Sequence, residues 1–590
     1  MWNGSIRGGA PAFVDPHSSM LHPLVVITTL VAGVRNGVKL SLVVVFMFAG
    51  LVQWWLAYLL GLGRIPRLWS GMMAVVGGHL ASRMELGLFG MVLSTACVSS
   101  VIPALIWLVQ TRSRRAIVIL GMSLASAALS GQGYMQLGLL FIFPTTFLLI
   151  PWEAKDIEFL LKRLALAGLI GFLLASPFLV PYLHFLPEFG KELNPEFNGA
   201  QPLKFLPLNL VIGDHDFYRT ESLQKFPYPS IYENYIGWIP VILAIIALFG
   251  ARSPKEKRVI KFLFSVGVIA AWAASAMPLK WLMENIHFKQ LIEAVAGIRH
   301  PTYIFGLAVT AVLSLAAIGL DQVLKREWPY MKFDFSSVQT NSCLININLH
   351  WLMAIPLLFS LADARAYNEV WIHTVKEDPV IQKVNKALLP PDLQWVNPPY
   401  GQHEYIESAV GMGMKMSSGT RAWFWKDRTQ PSPVREASFT GDPPNMIRYA
   451  LVKDVVLYKA APGHEYAQVI YSDNSKPTIC EAHGVGGDID VICDNPFAGT
   501  LVVKENSWTG WRVKLDGQRV PLKHDDWLSL SLPPGEHRIS FRYRPWDVPL
   551  SIALSLVGLC IAIILWVKKE PPKLEKDSSN IESQSQEMSQ

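Results

Sequence analysis

Residues 506–567 read NSWTGWRVKLDGQRVPLKHDDWLSLSLPPGEHRISFRYRPWDVPLSIALSLVGLCIAIILWV, and this stretch decides the architecture. Its first part alternates apolar and polar residues: Trp511-Arg512-Val513-Lys514-Leu515, Leu528-Ser529-Leu530-Ser531-Leu532 and Ile539-Ser540-Phe541-Arg542-Tyr543. A period of two sends every second side chain to one face, as in half-buried strands. Asp516-Gly517 and Pro533-Pro534-Gly535-Glu536 separate the runs as turns. At Val548 the pattern changes. The run Val548–Val567 carries no charge, and a helix needs ~20 apolar residues to cross a bilayer. A β-rich, sandwich-like domain therefore leads straight into a membrane helix.

The rest of the chain repeats the second half of that pattern. Of its 590 residues 51% are hydrophobic and only 17% charged, with a mean hydropathy of +0.29. A soluble protein carries about 25% charged residues. The deficit is concentrated in apolar runs, which predict about eleven spans of a polytopic α-helical membrane protein. They lie near Val38–Leu62, Pro66–Ser82, Gly87–Gln110, Ala116–Gly131, Gly133–Pro151 and Leu164–His184. Further runs are Ile236–Gly250, Phe262–Met277, Tyr303–Leu320, Leu344–Leu361 and Val548–Val567.

Positive charge sets the orientation, because Lys and Arg collect in cytoplasmic loops. If the spans alternate, Arg64 and Arg67 share a side with Arg112, Arg114 and Arg115, with Lys155, Lys162 and Arg163, and with Arg252 to Lys261. Lys325, Arg326, Lys332, Lys568 and Lys569 fall there too. The opposite loops are longer and more acidic. The expected organisation is an external loop 1–37, a helical membrane domain 38–361, an external β-rich domain 362–547, a terminal span 548–567 and a disordered cytoplasmic tail 568–590. The net charge of 52 − 46 = +6 thus reads as topology. No basic stripe with interleaved aromatics points to nucleic acid.

Cys480 and Cys493 flank a Gly-Val-Gly-Gly turn. A hairpin would set them opposite each other, so a disulfide is expected in an oxidising compartment, two unpaired thiols being the alternative.

Four stretches resemble the YfhO-like bacterial membrane proteins. The most specific is Asn506–Pro545, with its Gly-Trp, Asp-Gly hairpin, Pro-Gly-Glu-His turn and Tyr-Arg-Pro entering the last helix. Met1–Pro23 (MWNGSIRGGAPAFVDPHSSMLHP), Leu129–Gln136 (LSGQGYMQ) and Tyr232–Pro240 (YENYIGWIP) also match that family's pattern. The family is similar to GT-C type glycosyltransferases. The resemblance implies a GT-C-like helical domain with a cavity facing away from the cytoplasm in the bacterial inner membrane. It also implies transfer of a sugar from a polyprenyl-phosphate carrier to a glycan or lipid acceptor of the cell envelope, with a divalent metal possible as cofactor.

Such a transfer needs a carboxylate to orient or deprotonate the acceptor and a cation to offset charge on the departing phosphate. Asp15, in Val-Asp-Pro-His, is the acid of the first external loop; a turn-forming Asp is the bland alternative. Glu85 is a second acid, in a short turn where pairing with Arg83 is the competing reading. Arg299 and His300 open a span on the external side, where Arg suits bidentate phosphate contact or simple snorkelling. His17, Gln132 and Glu233 are further substrate-binding candidates, against loop or helix-cap roles. No Cys/His cluster has the spacing of a metal site, and Asp214-His215-Asp216 reads as a solvated acidic loop.

Two rivals remain. One is an inactive relative that binds or assembles envelope components, since the resemblance places the usual catalytic acid before Met1. The other is a transporter or lipid-handling protein, which should show internal repeats and midplane charges. The resemblance leads us to expect an upstream span followed by that acid.

The orientation is testable in whole cells. A cysteine placed at Ser507 should react with an impermeant maleimide and one placed at Ser253 should not; the reverse pattern would overturn the topology.

Overall fold

The computed structural model describes residues 2–3, 9–15, 17–84, 87–150, 154–186, 189–191, 196–197, 199–214, 217, 229–250, 253–285, 295, 297–326, 331–334, 344–347, 353–370, 395–397, 415–416, 423–425, 446–452, 455–460, 466–485, 487–523, 525 and 527–568. Glu85 lies outside them.

The membrane part is a bundle built around two helices. α1 (Pro23–Leu59) breaks at Gly33 (φ 75°), giving Pro23–Gly33 and the span Asn36–Leu59. α2 (Arg64–Val76), α3 (Phe89–Thr111), α4 (Arg114–Leu129), α5 (Tyr134–Leu149) and α6 (Ala154–Phe185) follow. Then come α7 (Trp238–Phe249), α8 (Pro254–Ala274), α9 (Met277–Asn285), α10 (Pro301–Leu324), α11 (Ala354–Glu369) and α12 (Asp547–Val567). In α3 and α10, 89% and 94% of the most apolar window is buried, against 17% in α12. The first two therefore form the centre and α12 faces lipid. The outer stripe of α1 is Leu40, Val43, Met47, Leu51, Trp54 and Tyr58, all exposed at helical spacing. An apolar stripe of this length outside a packed bundle needs lipid as its solvent.

Among the described residues five helices are long and apolar enough to cross a membrane, or up to six if the α8–α9 pair, bent by 62°, is one span. The other expected spans are shorter helices, because Gly and Pro break the runs. The expected external loop 1–37 contains the helix Pro23–Gly33. The expected span Leu344–Leu361 is instead a strand, Leu344–Ile347, followed by α11. Asn346, Asn348 and His350 interrupt that apolar run. α11 also carries the helix past Leu361, into what was read as the β-rich domain.

Contacts sort the helix ends into two faces. At one face Asp321 Oδ1 accepts from the Gly63 amide (2.8 Å), and its Oδ2 pairs with Lys325 (2.6 Å). Gln110 Nε2 there donates to Leu59 O, Gln322 Nε2 donates to Glu256 Oε1, and Arg115 lies over Trp566. These are the ends that the charge pattern groups together. At the other face, His184 Nδ1 lies 3.0 Å from Asp547 Oδ2, and α6 and α12 enter the C-terminal domain.

Residues 467–543 of that domain form a sandwich of nine strands. We number them β1 (Ala467–Ile470), β2 (Thr478–Ile479), β3 (Glu481–Val485), β4 (Asp488–Asn495), β5 (Gly499–Asn506), β6 (Trp511–Leu515), β7 (Gln518–Val520), β8 (Trp527–Leu532) and β9 (Gly535–Tyr543). One sheet has the order β2-β1-β5-β8, the other β3-β4-β9-β6-β7. The alternating runs of 506–545 are divided between the two sheets: β8 crosses to the facing sheet while β9 returns beside β6. The alternation explains both. Val513, Leu528, Leu530, Leu532, Ile539 and Phe541 all point into one core. Trp508 and Trp511 are buried, and Trp527 is half-buried. Phe185 at the end of α6 packs in the same core, its ring 6.1 Å from Trp508, so helix and sandwich share apolar residues. Trp2 joins them, its Nε1 donating to Glu505 Oε2 (2.9 Å).

The β3–β4 register places Glu481 opposite Ile492, so Cys480 faces Cys493; the two form a disulfide with a Cα–Cα distance of 4.7 Å. Closing so short a loop should stabilise the sandwich by about 2–4 kcal/mol. The Cys480→Ser, Cys493→Ser double variant should melt earlier in detergent by that measure. An unchanged melting curve, with the native bond verified by thiol titration, would show that the bond adds nothing.

Candidate functional site

The side chain that organises the face of the bundle nearer the sandwich is Arg83. It is fully buried, which removes the surface setting of the competing Arg83–Glu85 reading. Its partners explain the burial. Arg83 Nη1 donates to Ser82 Oγ (2.8 Å) and to the carbonyl oxygen of Glu233 (3.3 Å); Nη2 donates to Asn234 Oδ1 (3.1 Å). Its guanidinium carbon sits 5.0 Å from the centre of the Tyr303 ring. A buried guanidinium is tolerated where its donors meet acceptors and an aromatic face takes the rest of the charge. Ser82 Oγ also lies 3.0 Å from the Glu233 carbonyl, and Asn234 Nδ2 donates to Tyr232 O (2.9 Å). The segment 232–234 is thereby fixed against the turn at 82–84.

Glu233 and Asn234 are both fully buried. The Glu233 carboxylate therefore sits in the interior rather than capping a solvated helix end. Tyr232 donates through its hydroxyl to Gly199 O (3.3 Å). Burial, then the neighbouring Tyr303, push the Tyr232 phenol above its ordinary range, so it stays a neutral donor.

Arg299 and His300 enter from the opposite side. Both are half-buried and directly precede Pro301, the start of α10. The Tyr134 hydroxyl, at the first turn of α5, meets the backbone of Arg299 and His300. The Tyr134 ring lies 5.4 Å from that of Tyr303, and His300 lies 6.1 Å from Tyr303. Thr302 Oγ1 accepts from the Gln201 amide (3.0 Å), and Asn209 Nδ2 donates to Gln201 Oε1 (2.6 Å).

Two residues before Tyr134, Gln132 adopts a positive φ of 71°. Its Nε2 donates to His17 O, and its Oε1 lies 3.3 Å from His17 Nδ1. Asp15 Oδ1 accepts from the His17 amide at 3.0 Å, an Asx turn that engages one carboxylate oxygen. The sequence candidates thus form one band. Asp15, His17 and Gln132 lie at one end, Tyr134 with Arg299 and His300 in the middle, Tyr303, Arg83 and Glu233 at the other.

The band reaches the sandwich at one end: Phe13 and Val14, beside Asp15, pack in the sandwich core together with Phe185 of α6. Leu129, the end of α4, packs in one cluster with Ala175 and near Leu179 of α6, and the stretch from Leu179 to Phe185 covers roughly 9 Å at 1.5 Å per residue. Among the described residues no group of three or more His, Cys, Asp or Glu could hold a metal ion.

Sequence reasoning missed Arg83, Tyr134 and Tyr303. Tyr303 lies in the first turn after Pro301, beside the N-cap His300 whose ring it meets, and that nearness in sequence was its one readable signal. Arg83 had no local signal, because its partners lie far along the chain.

No family model matches the chain, and no curated protein does. A solved structure that aligns with it is the cryo-EM structure of the arabinofuranosyltransferase AftD from mycobacteria, at 10% identity and a TM-score of 0.39. The alignment covers 92% of this chain and 56% of that one, so the chain spans little more than half of that neighbour's length. Likeness at this level assigns neither fold nor reaction.

Proposed function

We propose that this protein is a membrane glycosyltransferase. It moves a sugar from a polyprenyl-phosphate carrier to a cell-envelope acceptor on the side away from the cytoplasm. One observation carries the reading: arginine, histidine and a buried carboxylate line one band at the end of an apolar bundle where it meets the sandwich. That place suits a lipid phosphate whose chain stays in the bilayer. The motif resemblance to GT-C-like families points the same way.

The roles follow from chemistry. Arg299, with His300 beside it, holds the carrier phosphate, since the planar fork of Arg matches two phosphate oxygens. Glu233, fixed by the Arg83 contacts on its own backbone, orients and deprotonates the acceptor hydroxyl. The glycosyl–phosphate bond breaks as the acceptor oxygen bonds to the sugar, and the phosphate leaves with the bond's electron pair on the lipid. Arg83 is a positioning residue. Asp15, His17 and Gln132 form the sugar-facing wall, and Glu85 remains a candidate second acid.

A second reading, an inactive relative that binds such a lipid, is favoured by one fact: Asp15 already spends a carboxylate oxygen on the His17 amide.

Two measurements separate these readings. Undecaprenyl phosphate should bind the purified protein, and Arg299→Ala should weaken that binding by about tenfold or more, the loss of a charge-assisted pair; Arg299→Lys should not restore it. Unchanged binding in Arg299→Ala would refute the carrier site. In proteoliposomes given a panel of undecaprenyl-phosphate hexoses and pentoses with envelope extract, Glu233→Gln should cut turnover by roughly 10²–10⁴. Carrier binding without turnover by the unaltered protein on any donor would favour the inactive relative.

A further inference from the structure

A second cavity lies behind the wall that Glu233 belongs to. It is a cleft of about 330 Å3 between α7, α11 and the segment around Val211 and Gly213. Asp363 of α11 is set at its centre. Tyr235 donates its hydroxyl to Asp363 Oδ2 at 2.6 Å, and the Tyr235 and Tyr367 rings lie 4.8 Å apart. Trp238 and Phe359 complete an aromatic surround. Burial first, and then Asp363, push the Tyr235 phenol above its ordinary range, so it donates to the carboxylate and carries no charge of its own.

Two glycines make the close packing possible. A Cβ on Gly237, whose φ is 86°, would stand 3.1 Å from Asp363 Oδ2, and one on Gly213 would stand 2.7 Å from the Tyr367 ring. Only a bare Cα lets the carboxylate and the ring approach the wall this closely.

The charge is one-sided. Among the described lining residues Asp363 is the one ionisable acid and there is no Lys, Arg or His. A carboxylate in a half-buried, aromatic cleft is stabilised by a cation, which also gains from the ring faces. The cleft is polar at the external end of α11 and apolar below. Ile355, Leu358 and Phe359, deeper along α11, are exposed, as are Ile242 and Ile245 deeper along α7. The order of headgroup site above and apolar track below is that of a lipid standing in the outer leaflet.

We propose that this cleft holds the ammonium headgroup of a membrane lipid, of the ethanolamine or choline class, with an acyl chain lying along α7 and α11. Asp363 pairs with the ammonium, and Tyr235 and Tyr367 face it. An anionic headgroup meets only a carboxylate there and is rejected. The site is separate from the carrier site, so failure to bind undecaprenyl phosphate leaves it standing.

The test is native mass spectrometry of the purified full chain, titrated with phosphatidylethanolamine, phosphatidylglycerol or monoglucosyldiacylglycerol. Phosphatidylethanolamine should be retained at least about tenfold better than the other two, the scale of a partly desolvated ion pair. Asp363→Asn keeps an acceptor for Tyr235 and removes the charge, and should abolish that preference. Tyr367→Leu should weaken phosphatidylethanolamine severalfold, about the worth of one cation–ring contact. Both variants should keep the melting temperature and the monodisperse gel-filtration profile of the unaltered protein, which reports that the bundle is folded. Equal retention of the three lipids, preference for the glycosyl lipid, or an unaltered preference in Asp363→Asn in a protein that melts like the unaltered one would each overturn the proposal.

Discussion

The buried guanidinium of Arg83 is the constraint on which the face of the bundle nearer the sandwich depends. A charge with no exposure is costly unless its donors are matched. Here Ser82, the Glu233 carbonyl and Asn234 accept from its two terminal nitrogens, and the Tyr303 ring lies over the guanidinium. These partners come from a turn, a connecting segment and the start of a central helix, far apart in sequence. Satisfying one side chain therefore fixes three pieces of the bundle together. Glu233 is held in the interior as a consequence, and Tyr235, two residues on, is aimed into the second cleft.

The place of the site follows from helix lengths. α6 and α12 are long enough to reach the sandwich, while α4 ends lower and α5 begins lower. The difference sets the band at the end of the bundle that meets the sandwich. On the proposed reading, the polar groups of the band meet a lipid phosphate and those of the cleft at Asp363 meet a lipid headgroup. The shared core around Phe185, Trp508 and Trp2 ties the sandwich to that end.

Much of this was legible in the sequence where the interactions are local. The period-two runs of residues 511–543 mark β6, β8 and β9, and Asp516-Gly517 marks the β6–β7 turn, with positive φ at both residues. The terminal helix was equally plain. What escaped was non-local. The crossing of β8 to the other sheet is not encoded in its own alternation. Arg83 beside Glu85 reads as a surface pair until residues 233 and 234 are brought to it. The run 344–361 reads as a span until its Asn and His residues are weighed against burial in lipid. Asp363 and Tyr367, four apart on one helix face, were readable as a pair, but the glycines that admit them to a cleft belong to other segments. The band from Asp15 to Glu233 was half visible: its charged members stood out, whereas Tyr134 and Tyr303, which join them, look like ordinary aromatic residues of apolar helices.

The central claim is that the band holds a lipid phosphate. The most direct measurement is a cryo-EM structure of the protein in lipid nanodiscs loaded with undecaprenyl phosphate. The account predicts phosphate density against the Arg299 guanidinium, with the isoprenoid chain leaving between the helices toward the bilayer. Phosphate density elsewhere on the protein, with the space between Arg299, Tyr134 and Glu233 filled by side chains alone, would contradict it.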